Sequence, residues 1–512
     1  MRKFLLSFAV LSAVGLPVAG CGSDEGASSA LELVPGGSAV YGEATIEPEG
    51  DQKQAVDTIL SKFPGGGEAG DKLKGLLEKA FRESDPPLSF KDDIEPWLGD
   101  EVAFFVSDID VQAGQVAATA LIATDDEDEA RATLEKVTKG KATSKTYKDV
   151  EYLASTEEEG SDTAGAVFDG YFVIGTELGV KAAIDASKGD KTLSDDEAYK
   201  NAVSDAADDR LALVYVDGER LFENLPVAGV AGFEGLKNGE PFVATFDADD
   251  DGVLVEATVS EQVAKSLGTM GGEASALLTE LPSGSWLAAA QGDFGKTLEG
   301  VVDSLAQSLG GRDVIEREVK AATGLDLRND VTAWMGDVAI FARGTTLAEL
   351  DGGLIVETTD EAASGRFIAG LRRLAREQGR GSVRIGRLSR LGGGEGFTAR
   401  IAGVPEPIQL FQQDGRVVLA YGDAAAKDAI DPSEKLGDSA EFTEARDSLG
   451  SDYELSFVLQ VAPILEIVDS TEAASDADWQ EAKRYLEPLS ALVAGSADEG
   501  DDVRSAFKLV VK

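Results

Sequence analysis

The sequence predicts an α+β fold built twice, as two tandem homologous halves, each a mostly antiparallel sheet with helices packed on a face. Three observations lead there. Short motifs recur in the same order at near-constant offsets, the mark of an internal repeat. Asp-Gly pairs sit between apolar runs, a strong hairpin signal because both residues tolerate the positive φ of a tight turn. Hairpins outnumber strand–helix–strand crossovers, which favours antiparallel pairing with helices on a face.

The chain opens on a targeting segment. Met1-Arg2-Lys3 is basic, Phe4 to Val14 is apolar, and Leu16-Pro17-Val18-Ala19-Gly20-Cys21 places small residues before a cysteine. Basic, apolar, then small is the order of an export signal. The apolar run falls short of the ~20 residues that a membrane span needs. With Cys21 closing it, the stretch resembles the processing site of bacterial lipoproteins. That resemblance implies cleavage after Gly20 and diacylglycerol on the Cys21 thiol. The protein would then be exported and held by its lipid on the outer face of the plasma membrane. Residues 1–20 form the signal peptide and 21–30 a flexible tether of the Gly/Ser kind.

Beyond the tether the repeat begins. Val34-Pro35-Gly36-Gly37-Ser38-Ala39-Val40 is echoed by Leu281-Pro282-Ser283-Gly284-Ser285-Trp286-Leu287. Asp93-Ile94-Glu95-Pro96-Trp97-Leu98-Gly99-Asp100 returns as Asp330-Val331-Thr332-Ala333-Trp334-Met335-Gly336-Asp337. Asp169-Gly170-Tyr171 returns as Asp414-Gly415-Arg416. Measured at Pro35, Trp97 and Asp169, the offsets are 247, 237 and 245 residues. The halves are therefore 31–268 and 277–512, joined through 260–276.

Within each half a Pro turn leads into a strand and an amphipathic helix. Its apolar face is Val56, Ile59, Leu60 and Phe63 in the first half, and Leu298, Val301, Val302 and Leu305 in the second. A second helix carries Leu73, Leu76, Leu77, Ala80 and Phe81, answered by Val314, Ile315, Val319 and Ala322. The Trp motif then leads into strands at 102–106 and 117–123, answered by 338–341 and 353–358. Acidic residues at 125–129 and 359–361 open the next helix, where they favour the positive end of its dipole. The Asp-Gly hairpins follow, then helix, strand (211–216; 453–458) and helix, and a closing hairpin at 242–259 and 491–511.

Composition excludes several kinds of chemistry. With 47 basic against 94 acidic residues the formal charge is −47, and loss of Arg2 and Lys3 with the signal leaves −49. Such a surface repels nucleic acid and should hold the body off anionic lipid. There is no histidine, so His-based acid–base work, Ser-His-Asp triads and His-ligated zinc are excluded. Cys21 is the only cysteine, which removes disulfides, thiolate catalysis and Cys metal sites.

Partial motifs dissolve on inspection. Asp247 to Gly252 begins like a calcium loop, but the twelfth position is Thr258 where a bidentate carboxylate is needed, and the flanking alternation reads as a hairpin tip. Ser505-Ala506-Phe507-Lys508 matches S-x-x-K, but it lies in an alternating strand pattern without a K-T-G partner. Gly292 to Thr297 lacks P-loop glycine spacing, and Gly392-Gly393-Gly394 reads as loop. Trp97 and Trp334 read as core anchors of a turn, with Asp100 and Asp337 accepting from backbone amides. Arg372, Arg373, Arg376, Arg380, Arg384, Arg387 and Arg390 form one basic cluster, read first as a solvated face and otherwise as a docking surface for an anionic partner or lipid headgroups.

With the lipobox, the Val-Pro start and the doubled Trp-x-Gly-Asp motif together, the chain resembles a family of large bacterial lipoproteins. Those proteins, of the type found in high-GC Gram-positive lineages, carry a domain of unknown function. The resemblance implies a surface-anchored protein with no established activity. The expected function is a non-enzymatic binding or scaffold module of the cell envelope. Catalytic, cofactor and metal residues are none, and the one site residue is the lipidated Cys21. Its partners are the membrane, through that lipid, and an envelope protein or apolar ligand. The alternatives are a carrier for a lipid or other apolar molecule held between sheet and helices, and a hydrolase of glycans working through two carboxylates.

Overall fold

Alternating apolar side chains and glycine-assisted turns generate twenty strands among the described residues. The computed structural model describes residues 30–66, 69–83, 86–110, 115–139, 141–155, 162–204, 206, 209–223, 241–260, 274–379, 383–388, 395–498 and 502–512. Cys21, the signal segment and residues 22–29 lie outside them. Ala30, the last residue of the expected tether, is fully buried in a short 3-10 turn, Ala30–Leu33. Described residues up to Val259 belong to one compact unit and those from Ser260 to another.

The first unit contains β1 (Val40–Thr45), β2 (Leu98–Asp110), β3 (Gln115–Thr124), β4 (Ala142–Tyr147) and β5 (Val150–Ser155). To these it adds β6 (Thr163–Phe168), β7 (Tyr171–Thr176), β8 (Ala212–Val216), β9 (Phe242–Asp249) and β10 (Gly252–Ser260). Antiparallel pairing arranges them as β4-β5-β6-β7-β3-β2-β1-β8-β9-β10. Its longer helices are α1 (Gly50–Ser61), α2 (Ala69–Arg82), α3 (Glu127–Thr138) and α4 (Glu177–Ser187).

The second unit holds β11 (Leu287–Gln291), β12 (Met335–Arg343), β13 (Asp351–Thr358), β14 (Val383–Gly386) and β15 (Glu395–Ile401). They are followed by β16 (Ile408–Gln413), β17 (Arg416–Tyr421), β18 (Glu454–Gln460), β19 (Leu489–Asp498) and β20 (Asp502–Val511). The order is β14-β15-β16-β17-β13-β12-β11-β18-β19-β20, the same path as in the first unit. In chain order its main helices are α5 (Phe294–Leu309), α6 (Arg312–Thr323), α7 (Glu361–Gln378), α8 (Asp423–Asp428) and α9 (Ala440–Leu449).

The two Asp-Gly turns behave as their chemistry requires. Asp169 and Gly170 have φ of 49° and 79°, and Asp414 and Gly415 have 50° and 73°. Both central residues in the left-handed region define the tight hairpin whose twist matches its strands.

Each unit is pinned by a buried tryptophan at a short π-helix, Phe90–Ile94 or Leu327–Thr332. Trp97 Nε1 donates to the Asp93 carbonyl at 2.6 Å, and Trp334 Nε1 to that of Asp330 at 3.0 Å. The same aspartates use their carboxylates to cap the turn, accepting from Ser89 N at 2.8 Å and Asp326 N at 3.0 Å. A cation on the following helix completes each arrangement, Lys136 on Asp93 and Arg366 on Asp330. This corrects the expectation for Asp100. Among the described residues no amide donates to its carboxylate, because the residue four before the indole is the one the π-turn brings round. Asp337 does accept a backbone amide, from Asp293 at 3.2 Å, and also the Ser275 hydroxyl at 2.6 Å.

Helix faces follow the expected period in the first unit, where Val56, Ile59, Leu77 and Phe81 are buried, although Phe63 falls beyond the end of α1. The second unit departs from it. Val302 and Ala306 face inward, while Val301 and Leu305 are each 42% exposed, and α6 buries no residue.

The first unit alone carries a layer of tyrosines on the sheet face opposite Trp97. Tyr41, Tyr152, Tyr171, Tyr199 and Tyr215 are buried there, with Tyr147 packed against them. Four hydroxyls donate to carboxylates: Tyr41 to Glu43 at 2.5 Å, Tyr171 to Glu101 at 2.6 Å, Tyr152 to Glu177 at 2.8 Å and Tyr147 to Asp185 at 3.3 Å. Two of these acids titrate in opposite directions. Burial pushes Glu101 above the usual carboxylate range. Burial acts on Glu177 in the same direction, but bonds from Lys181, Tyr152 and Lys145 outweigh it and hold the group at about 2.

Two outcomes follow. Trp97→Ala and Trp334→Ala should each cost about 3–5 kcal/mol in urea unfolding, since each removes a fully buried indole and its bond. A carboxylate with a depressed folded pKa contributes stability above its unfolded pKa and loses it as pH falls toward the folded value. Glu177→Gln should therefore lower stability by about 1–2 kcal/mol at neutral pH and flatten the loss of stability between pH 4.5 and about 2. Urea midpoints measured across that range check the sign.

Candidate functional site

A β-strand offers alternate side chains to opposite faces, so directly paired residues across a sheet form rows on one face. In the second unit one such row runs Leu410, Leu419, Leu354, Ile340, Ala289, Phe457. It lies on the face of Trp334, and Leu410 and Leu354 pack into the cluster formed there with α7. Ile340 and Leu419 are 41% and 42% exposed. Both stand on interior strands with a hydrogen-bonded neighbour on each side, where a large aliphatic side chain is normally covered. Leaving each side chain at that exposure forfeits about 1 kcal/mol of burial.

The first unit shows how the same ground is closed. The matching row is Gly165, Ile174, Ala120, Phe104, Gly42, Val214. Ile174 is 1% exposed, in a cluster with Leu77, Phe81, Phe90, Ile94 and Phe172. Two glycines admit large neighbours: a Cβ at Gly42 would lie 2.3 Å from the Phe104 ring, and one at Gly165 2.6 Å from Leu134. In the second unit Ala289 stands where Gly42 is, and the counterpart of Phe81 in the sequence echo is Ala322. The bulky plugs are missing, and Ile340 and Leu419 stay exposed in an apolar strip (the trough).

Helix α5, which packs against β12, exposes apolar side chains of its own. Val301, Leu305 and Leu309, spaced four apart along one stripe, are 42%, 42% and 58% exposed. The row holds no titratable side chain, so it offers contact to apolar matter and no acid–base chemistry. By contrast, the depression of about 440 Å³ along α1 is lined by Gly50, Lys53, Gln54, Asp57, Thr58 and Ser61, all on one helix.

The residues singled out in the sequence fall as follows. Cys21, Gly392-Gly393-Gly394, Arg380 and Arg390 lie outside the described residues. Asp247 to Gly252 is the tip of the β9–β10 hairpin, where Asp249 Oδ1 accepts from Asp251 N at 2.9 Å. Ser505 and Lys508 sit on β20 three residues apart, hence on opposite faces, and Lys508 Nζ donates to the Ser448 carbonyl at 2.9 Å. At Gly292 to Thr297 the chain turns through Asp293 at φ 47° into α5, with Lys296 paired to Asp293.

The arginine cluster divides between two layers. Arg372, Arg373 and Arg376 are exposed on α7, whereas Arg384 is on β14, directly opposite Arg400 of β15. Val383 and Ile385 of β14 face α7, so Arg384 faces away from it. Sequence reasoning missed Ile340, Leu419 and Arg400, because nothing local to any of them differs from an ordinary strand position.

The chain belongs to a family described as protein of unknown function (DUF3352), whose family model matches residues 67–389. Comparison with curated protein sequences gives no match. Among solved structures the chain is similar to crystal forms IV and III of a protein designated TP0453, each at 10% identity and a TM-score of 0.24. The matches cover 45% of this chain and 79% and 78% of those chains.

The contrast between the two rows is measurable by stability alone. Leu419→Ser should cost about 1 kcal/mol or less, while Ile174→Ser should cost about 3 kcal/mol, because only the latter leaves a cavity and a hydroxyl in a closed core. Denaturant midpoints of the two variants would contradict the trough if the costs were equal.

Proposed function

We propose that this protein is a lipid-anchored, extracytoplasmic binding module of the cell envelope, without enzymatic chemistry, and that its apolar trough receives an acyl chain or similar apolar moiety. It consists of two tandem copies of one ancestral unit, the first a closed support and the second adapted to contact ligand. The single observation behind the ligand reading is the 41% and 42% exposure of Ile340 and Leu419 on interior strands. A groove lined by aliphatic side chains with few polar groups suits a chain-like apolar molecule. The duplication reading rests on the identical strand order and on the repeated Trp–Asp arrangement of the two units. The location rests on the export signal and on Cys21, and the chemistry on a chain without histidine.

Mass spectrometry of the detergent-extracted protein tests both parts. The N-terminal peptide should begin at Cys21 and carry diacylglycerol, and organic extraction should release lipid bound to the body. Ile340→Trp with Leu419→Trp should fill the trough and weaken binding of a fluorescent fatty acid roughly tenfold, with the fold intact. Unmodified Cys21 would refute the anchor. Absence of bound lipid together with unaltered fatty-acid binding in the filled variant would refute the carrier role.

A further inference from the structure

The second unit concentrates arginine in a way the rest of the chain does not. Between residues 321 and 426 there are twelve arginines and no lysine, in a chain with twice as many acids as bases. Arg384, Arg387 and Arg400 are exposed. Among the described residues no acid lies within ion-pair distance of any of the three, and Arg384 and Arg400 stand directly opposite each other across β14 and β15. Like charges directly opposite destabilise a strand pair. Guanidinium groups, planar and forked, suit phosphate and carboxylate oxygens better than ammonium groups do.

The first unit carries counter-charge near the same end of its sheet. There Lys145 of β4 and Tyr152 of β5, also an opposed pair, share the Glu177 carboxylate supplied by α4. The matching helix α8 has six residues against eleven in α4. Its acids are committed elsewhere, Asp423 to Gln409 at 2.8 Å and Asp428 to Arg343 at 2.9 Å. The counter-charge that the first unit builds in is missing from the second.

The same end of the sheet presents apolar loop tips. The β12–β13 loop exposes Leu347 at 57% and the β15–β16 loop exposes Val404 at 37%. The ends coincide: Arg343 pairs with Asp351, Gly352 with Tyr421, Tyr421 with Ile408, and Ile401 with Val383 beside Arg384. Aliphatic tips next to unneutralised arginines match the layering of a bilayer surface, with phosphates just outside the acyl chains. Glu349 and Glu406 stand in the same loops, and Glu349 accepts from Thr346 Oγ1 at 3.1 Å. The net charge of the chain does not cancel the attraction, since acids more than about 10 Å away are screened at physiological salt.

We propose that this end of the second unit docks on anionic lipid headgroups, with Leu347 and Val404 entering the headgroup layer and Arg384 and Arg400 on lipid phosphates. The inference rests on the proposed location at the membrane but not on the trough. It narrows the expectation that the body stands off the bilayer: one edge touches down.

The test is flotation of the mature chain made without its signal and with Cys21→Ser, so that no lipid anchors it. Vesicles of phosphatidylcholine are compared with vesicles containing roughly 30% phosphatidylglycerol. The chain should float with the anionic vesicles alone, and about 0.5 M salt should release it. Arg384→Glu with Arg400→Glu should lower the bound fraction roughly tenfold, as should Leu347→Glu alone, while Arg372→Glu with Arg376→Glu on the other layer should leave it unchanged. Should the paired variant unfold, Leu347→Glu in its exposed loop decides alone. The proposal is overturned if the chain ignores both vesicles, floats equally with neutral ones, or keeps wild-type binding in both variants. It is overturned equally if sedimentation shows these arginines holding an acidic face of a second copy without vesicle binding. The mass of Cys21 in the native protein is independent of all these results, so failure of the anchor is distinguishable from failure of the docking edge.

Discussion

A buried indole N–H must find an acceptor, and in both units it finds the carbonyl of the aspartate four residues earlier. That bond fixes the π-turn, the turn sets where β2 and β12 begin, and those strands sit at the centre of their sheets. The aspartate works at both ends: its carbonyl takes the indole and its carboxylate caps the turn. Its outer oxygen then catches a cation from the next helix, tying that helix to the sheet at a set place. One residue thereby couples turn, sheet and helix. A substitution there would loosen three elements together, whereas the exposed ion pair alone contributes little.

Once the backbone path is held in this way, side-chain volume can vary above it. The first unit spends its volume on closure, with Phe81, Phe90, Phe104 and Phe172 over one face and tyrosines over the other. The second has the same strand order without the plugs, so apolar surface that would ordinarily be core faces outward. One of its helices is also shorter, six residues against eleven, and the acids on it are paired away from the neighbouring edge. Both differences are subtractions, and each leaves a surface with an unmet demand, apolar in one place and anionic in the other.

Subtractions are hard to read in a linear sequence, and this decides what was legible. The repeat, the hairpins and the antiparallel sheets could be read because motif order, Asp-Gly pairs and strand alternation are local signals. Trp97 and Trp334 could be read as core anchors from their setting, but their partner could not. Asp100 lies closer to a recognisable motif than Asp93 does, and only the π-turn makes a spacing of four productive. The helical period of α5 was visible, yet Val301 and Val302 are adjacent and the period cannot say which one turns inward. The trough was invisible for a stronger reason: whether Ile340 and Leu419 are covered depends on side chains from segments far away in the sequence. Arg400 was missed because its opposition to Arg384 is a matter of register between strands.

The tyrosine layer has an optical consequence. Of nine tyrosines, those at 41, 147, 152, 171, 199 and 215 belong to the first unit, while of four tryptophans only Trp97 does and 286, 334 and 479 belong to the second. Near-ultraviolet signals therefore separate by unit without any introduced label. Tyrosine bands report chiefly on the closed unit and indole emission chiefly on the open one. The order in which the two melt can be followed in the unaltered protein.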